Sequence, residues 1–221
     1  ETLAVFGSVD YQITDQFSLS GELRYTEEDK ATDRILSFGA PGAGPDKETF
    51  KFTTYRVIGS YQATEDALLY ASVASGARAG GFNARATVGF DENSFDEETN
   101  VSYEIGAKTE WFDNKLTLNG ALYYVDWNDL QISARSIDPA NIFSIVRNTG
   151  NASTEGFEIE LVADPIDLWS FGIGYAYTNP EFDDGAVDLG ITGFCGVDGS
   201  AGCRFNDEGQ PDVSGNQLGR T

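Results

Sequence analysis

A chain of 221 residues is long enough for one or two domains with sizeable cores, yet its 25 glycines, 13% aromatics and lack of any run of about 18 apolar residues exclude a helical membrane protein and leave an all-β one. A formal net charge of −22 with no Lys/Arg cluster excludes a nucleic-acid surface. With no histidine to serve a serine nucleophile and no paired spacing of carboxylates, the chain is not read as an enzyme.

Taken in order, Leu3 to Tyr11 alternates as a strand, although Phe6 intrudes on the polar side. Phe17, Leu19, Gly21, Leu23 and Tyr25 share a face opposite Ser18, Ser20, Glu22 and Arg24. The stretch 26–48, charged and punctuated by Gly and Pro, reads as a long loop. A strand resumes at Phe50 and runs to Tyr61, and another follows from Ala67 to Ser75, with apolar residues on both parities, so its faces are not assigned. A second long loop covers 76–98. From Val101 to Gln131 comes a long hairpin in which Tyr103, Ile105, Ala107, Thr109 and Trp111 oppose Glu104, Gly106, Lys108 and Glu110, and Leu116, Leu118, Gly120, Leu122 and Tyr124 oppose Thr117, Asn119, Ala121 and Tyr123. A third loop spans 133–150. The strand Phe157–Ala163 is followed by Trp169–Thr178, and 179–221 reads as one long loop.

Connections are short after the first, third, fifth and seventh strands and long after the second, fourth and sixth, as in outer-membrane barrels with short periplasmic turns and long extracellular loops. The pairs Phe17/Tyr25, Tyr103/Trp111 and Trp169/Tyr177 each lie eight residues apart on the uncharged face, roughly 26 Å along a strand, close to the apolar band between aromatic girdles. The expected fold is therefore all-β: about eight antiparallel transmembrane strands with long extracellular loops, its apolar face on outer-membrane lipid. The charges Glu22, Arg24, Arg56, Glu104, Lys108, Glu110, Glu158 and Glu160 then face the lumen, where they pair across strands or meet a plug. An Arg at Ile105 or Ile173 is expected to disrupt assembly, and an Arg at Gly106, on the inner face, to be milder. A soluble sandwich with the apolar stripe as its core is the competing fold. Strand direction would put both chain ends outside the cell, so the chain is expected to be an internal piece of a larger barrel, although an eight-stranded barrel can also close on itself.

Three motifs carry a resemblance: Tyr70–Asn83 (YASVASGARAGGFN), Tyr103–Gln131 (YEIGAKTEWFDNKLTLNGALYYVDWNDLQ) and Asn148–Tyr177 (NTGNASTEGFEIELVADPIDLWSFGIGYAY). In this order they resemble the barrel domain of TonB-dependent outer-membrane receptors. The resemblance implies residues 1–221 are part of a barrel of about 22 strands, with the plug domain absent from this chain. It also implies active uptake of a scarce nutrient such as a ferric siderophore, cobalamin or glycan, driven by the TonB complex through the missing N-terminal region. SGNQLGRT at 214–221 looks like the family's lead-in to a further strand. A passive porin or structural barrel without a plug is the alternative function.

Under that resemblance ligand is captured by the outer loops and the upper lumen. Arg78, Phe82, Asn83 and Arg85 combine guanidinium groups, a ring and flexible glycines able to hold an anionic ligand such as a metal chelate, or else they pack against neighbouring loops. Arg135 and Phe143 are candidates of the same kind. Cys195 and Cys203 read as a local loop disulfide, with two free thiols as the alternative. Asp183, Asp184 and Asp188 lack the spacing of a calcium loop. No metal site or cofactor is called for.

Overall fold

The computed structural model describes residues 1–35, 41–84, 92–137, 143–166, 168–189 and 203–218, without the side chains of 33–35 and 41–45. Among them, the strands in chain order are β1 (Thr2–Gln12), β2 (Phe17–Ile35), β3 (Pro41–Thr64), β4 (Ala67–Arg78), β5 (Gly81–Phe82), β6 (Ser94–Phe95) and β7 (Glu98–Trp111). They continue as β8 (Leu116–Asn128), β9 (Gln131–Arg135), β10 (Ser144–Asn148), β11 (Ala152–Ile166), β12 (Trp169–Phe182), β13 (Arg204–Phe205) and β14 (Pro211–Asp212). Eight make one antiparallel sheet in the order β1-β2-β3-β4-β7-β8-β11-β12, and the other six form three small hairpins between or beyond them. Among the described residues no helix is long and apolar enough to cross a membrane.

Register turns the alternation of each strand into two continuous faces. Tyr103 stands opposite Tyr124, Ile105 opposite Leu122 and Trp111 opposite Leu116, while Leu122 meets Phe157 and Phe157 meets Tyr177. The same register settles β4. Leu69, Ala71 and Val73 pair with Ala107, Ile105 and Tyr103 and so join the apolar face, which leaves Leu68, Tyr70 and Ser72 on the polar one. Tyr25, Tyr103, Tyr124 and Tyr177 lie toward the long-loop end, and Phe17, Tyr61, Trp111 and Trp169 toward the short-turn end. Apolar side chains fill the band between them.

Among the described residues nothing is packed on the apolar face. Ile105 is 57% exposed and Ile173 68%, values that rule out the sandwich, in which both would be core. Buried hydrophobic residues among those described instead lie almost all in the long-loop half: Ala79, Ala134, Ile145, and a cluster of Ala152, Phe182, Ala186 and Val213 backed by Trp127, Leu130 and Leu218. A sheet whose solvent for one face is lipid needs no core of its own on that side.

All four stretches expected as long loops contain paired strands, β5–β6 within 76–98 and β13–β14 within 179–221 among them. The stretch 26–48 is not chiefly loop: β2 and β3 continue in register from Thr26↔Phe52 through Asp33↔Pro45 as a tall two-stranded ribbon. A spanning strand needs about 9–11 residues, and these have 19 and 24. Both faces of the ribbon are beyond the band, so apolar alternation is not required; opposite charges and hydrogen bonds across the strands hold it, with Lys51 at 3.2 Å from Glu27 and Thr49 donating to Asp29 at 2.6 Å. The loop 133–150 likewise contains the β9–β10 hairpin. At the far end, β12 runs to Phe182 rather than Thr178. Segment 215–218 returns to it: Gly215 and Phe182 are hydrogen-bonded, Glu181 bridges Gln217, and Leu218 donates to the Pro180 carbonyl.

On the polar face, glycines make room for tyrosines. A Cβ on Gly106 would stand 2.5 Å from the Tyr70 ring, and one on Gly156 would collide with the Tyr123 phenol. Tyr70 donates to Glu104 at 2.6 Å, and Tyr123 shares a hydrogen bond with Thr178 at 2.6 Å. The inner position 106 is therefore not a permissive one. Arg at Ile173, in mid-band, is expected to cost roughly 2–4 kcal/mol in a bilayer and to abolish the heat-modifiable folded form on gels. Gly106→Ala is expected to cost about 1–3 kcal/mol through the displaced Tyr70–Glu104 bond, measured by urea unfolding in lipid, and close to nothing in a Tyr70→Ala background.

Candidate functional site: outer loops and inner wall

Three connections at the long-loop end are built into one another by side chains that bond to backbone. Asn83, just past β5, donates from Nδ2 to the carbonyls of Glu92 (2.9 Å) and Val146 (2.7 Å), and its Oδ1 accepts from Val146 N at 2.9 Å. Gln131, at the start of β9, donates to the carbonyls of Ala79 (3.2 Å) and Asp96 (2.9 Å), while its own N–H is accepted by Glu98 Oε2 at 2.6 Å. Asn148 accepts from Asp96 N and donates to the Asp129 carbonyl. From the ribbon side Lys30 donates to the Gly80 carbonyl at 2.8 Å and lies 5.7 Å from the centre of the Phe50 ring.

At the middle of this assembly Glu92 is buried. It accepts from Arg147 Nη2 at 2.6 Å, the Ser136 hydroxyl at 2.5 Å and Ile137 N at 2.8 Å, and Arg147 also donates to the Arg135 carbonyl at 2.7 Å. A buried carboxylate is tolerable only with such a set of donors. Backbone approach is equally close. A Cβ on Gly80 would come 2.7 Å from the Phe50 ring and one on Gly81 2.8 Å from Phe95, so both must be glycine for these packed side chains to stay in place.

The sequence candidates fall unevenly on this frame. Asn83 has both ends of its amide engaged, so its place is a tie between loops, and Phe82 is half-buried in β5 opposite Ser94. Arg78 ends β4 exposed, Arg135 ends β9 exposed and Phe143 is 43% exposed just before β10. Arg85 lies outside the described residues. Cys203 is disulfide-bonded, and Cys195 lies outside the described residues. Asp212, in β14, accepts from both the hydroxyl and the N–H of Ser214, which holds its carboxyl below the usual range. Among the described residues no group of acids or cysteines is arranged to hold a metal.

The eight charges expected on one side of the wall do share the polar face by register. Glu22 lies opposite Arg56 with 3.8 Å between the charged atoms, Asn119 donates to Glu160 at 3.1 Å, and Lys108 sits 6.0 Å from the centre of the Tyr70 ring. Glu92, Gln131, Arg147 and Asn148 were not picked out from sequence, since their partners are mostly backbone groups on distant loops. An inward Tyr beside an inward Gly on the next strand was the one signal present for Tyr70 and Tyr123.

Known proteins bear on this architecture. The profile of the family described as TonB dependent receptor-like, beta-barrel, matches residues 1–221. The chain belongs to the TonB-dependent receptor β-barrel family. Its members sit in the outer membrane, and those matched are receptors rather than enzymes. The pesticin receptor of Yersinia enterocolitica is 27% identical over 183 residues, covering 82% of this chain and 26% of its own length. The probable TonB-dependent siderophore receptor PiuA of Acinetobacter baumannii is 27% identical over 186 residues, covering 82% and 24%. The crystal structure of the ferric yersiniabactin uptake receptor FyuA from Yersinia pestis superposes with a TM-score of 0.70 at 25% identity, over 84% of this chain and 27% of that one. The chain thus spans about a quarter of the length of the curated relatives it matches.

In this TonB-dependent receptor barrel the Glu92–Arg147 pair is expected to be the point on which loop order turns. Arg147→Met leaves a buried carboxylate short of its cation, a change on the order of 3–5 kcal/mol, and limited proteolysis should then cut within 92–98 while wild type resists there. Adding Glu92→Gln should restore part of the resistance.

Proposed function

We propose that this chain forms wall strands and outer loops of a TonB-dependent receptor that takes up a ferric chelate of the siderophore class, its lumen closed by a plug domain carried elsewhere in the protein. The observation that supports this best is the pairing of an apolar, lipid-facing stripe with a polar inner wall beneath an ordered cap of loops, in a family whose matched members include a siderophore receptor and a ferric yersiniabactin uptake receptor. The free edges of β1 and β12 argue the same way. Neither pairs with the other among the described residues, and unpaired backbone N–H and C=O groups are not tolerated in hydrocarbon, so further strands would complete a larger barrel. The wall charges then face the lumen, the Cys195–Cys203 bridge closes a loop exposed to an oxidising exterior, and energy comes from the TonB complex through the plug. A passive porin has the same wall but no need of a plug.

The native protein recovered from outer membranes is expected to have a mass several-fold above that of these 221 residues. Cells dependent on it should accumulate radiolabelled ferric chelate only while TonB is functional. Uptake that persists without TonB would make it a porin, and a native mass equal to that of these residues would remove the plug.

A further inference from the structure

On the lipid-facing side of β4, β7, β8 and β11 lies a depression of about 460 Å³. One rung of the sheet makes it. Leu69 pairs with Ala107, Ala107 with Gly120 and Gly120 with Ile159, so two small residues sit between two large ones. With strands about 4.8 Å apart, the gap they leave is roughly 10 Å wide. Ile105 and Leu122, the next outward pair toward the long loops, form its upper lip. Each of the four strands has both neighbours in place, so the depression owes nothing to a free edge or to the lumen.

The fold does not demand a glycine at position 120. A Cβ there would meet the Glu158 carbonyl at 3.7 Å, an ordinary contact, whereas the inward Gly106 and Gly156 are each covered by a tyrosine. Glycine weakens a strand, and in a strand interior it often marks close approach by another molecule. The rung stands four residues from Tyr103 and four from Trp111, in the middle of the apolar band, where the neighbouring molecule is hydrocarbon. Charge narrows the choice further. Glu155, four residues from Ile159 on the same face, is exposed at girdle height opposite Tyr124 and Asn179, with Asp126 one row higher. No Lys or Arg of β7, β8, β11 or β12 stands on this face at the long-loop end. A second copy docked here would share the membrane plane and set its own Glu155 and Asp126 against these, and an anionic headgroup would meet the same repulsion. An ammonium group meets attraction instead.

We infer that this depression is a lipid site, which takes the end of an acyl chain from an outer-leaflet lipid whose headgroup carries an ammonium group. The ammonium pairs with Glu155 at the interface, the chain runs down over Leu122 and Phe157, and its end fills the space over Ala107 and Gly120. The depth fits. From Glu155 to Ile159 is roughly 13 Å along the strand, close to half of a hydrocarbon core about 30 Å thick. The site needs the barrel in its membrane and is independent of what the receptor transports.

The test uses the whole receptor, purified in mild detergent, incubated with dipalmitoyl phosphatidylethanolamine or dipalmitoyl phosphatidylglycerol and examined by native mass spectrometry. Wild type is expected to retain the ethanolamine lipid in preference to the glycerol lipid, and to lose dihexanoyl phosphatidylethanolamine, whose chains end above the depression. Gly120→Leu, which fills the space, should lower retention by about fourfold or more, the factor that one buried methylene carries. Glu155→Gln should keep the chain bound and lower the headgroup preference by about twofold or more. Retention unchanged in Gly120→Leu, equal retention of both headgroups by wild type, or a receptor dimer in place of the lipid adduct overturns the site. Should Gly120→Leu not assemble, Gly120→Ala and the short-chain lipid decide, and retention indifferent to both overturns it.

Discussion

A backbone N–H or C=O in hydrocarbon has no water to turn to, and everything about this chain follows from answering that for each residue of the band. Antiparallel pairing from β1 to β12 supplies the answer between strands, and short turns at one end supply it between hairpins. Once the backbone is satisfied, side chains are free to divide by solvent. Leu, Val and Ile take the lipid side, tyrosines and tryptophans the two interfaces, and Ser, Thr, Glu and Arg the other face.

That division moves the packed core out of the sheet. In a soluble β protein the apolar stripe is where close packing occurs, whereas here it is left open and the buried residues gather where β8, β11 and β12 meet the loops. The polar wall follows rules of its own. Tyr70 and Tyr123 lie flat across Gly106 and Gly156, covering bare backbone while their hydroxyls reach the next carboxylate or hydroxyl.

The wall was legible because its rule is local and repetitive: one period of two, tested strand by strand, places Ile105 and Ile173 on lipid and Glu104 and Lys108 opposite, and the aromatic spacing sets the height of the band. β4 defeated that rule, since Leu68 and Leu69 are both apolar and only pairing with Lys108 and Ala107 separates them. The β2–β3 ribbon defeated it for another reason. Above the interface one face meets water and the other packs on the neighbouring loop through Thr26, Lys30 and Phe50, so TEEDK carries no apolar beat even though Glu27 and Asp29 find Lys51 and Thr49 across the ribbon. The loops were the least readable. Asn83 stood out as a polar residue near two arginines, but its partner Val146 lies 63 residues on and offers only backbone atoms, which leave no mark on sequence. Nothing in the sequence next to Glu92 marks it as the carboxylate that Arg147, Ser136 and Ile137 surround.

Asn83, Glu92, Gln131 and Asn148 give the loop cap a thermodynamic character as well as a shape. Loops that must become ordered around an arriving molecule lose conformational entropy at that moment, and the affinity falls by the same amount. For the described residues of these loops the ordering comes with folding, through bonds between one loop and the next. A molecule reaching these loops therefore meets a surface whose entropy has already been spent.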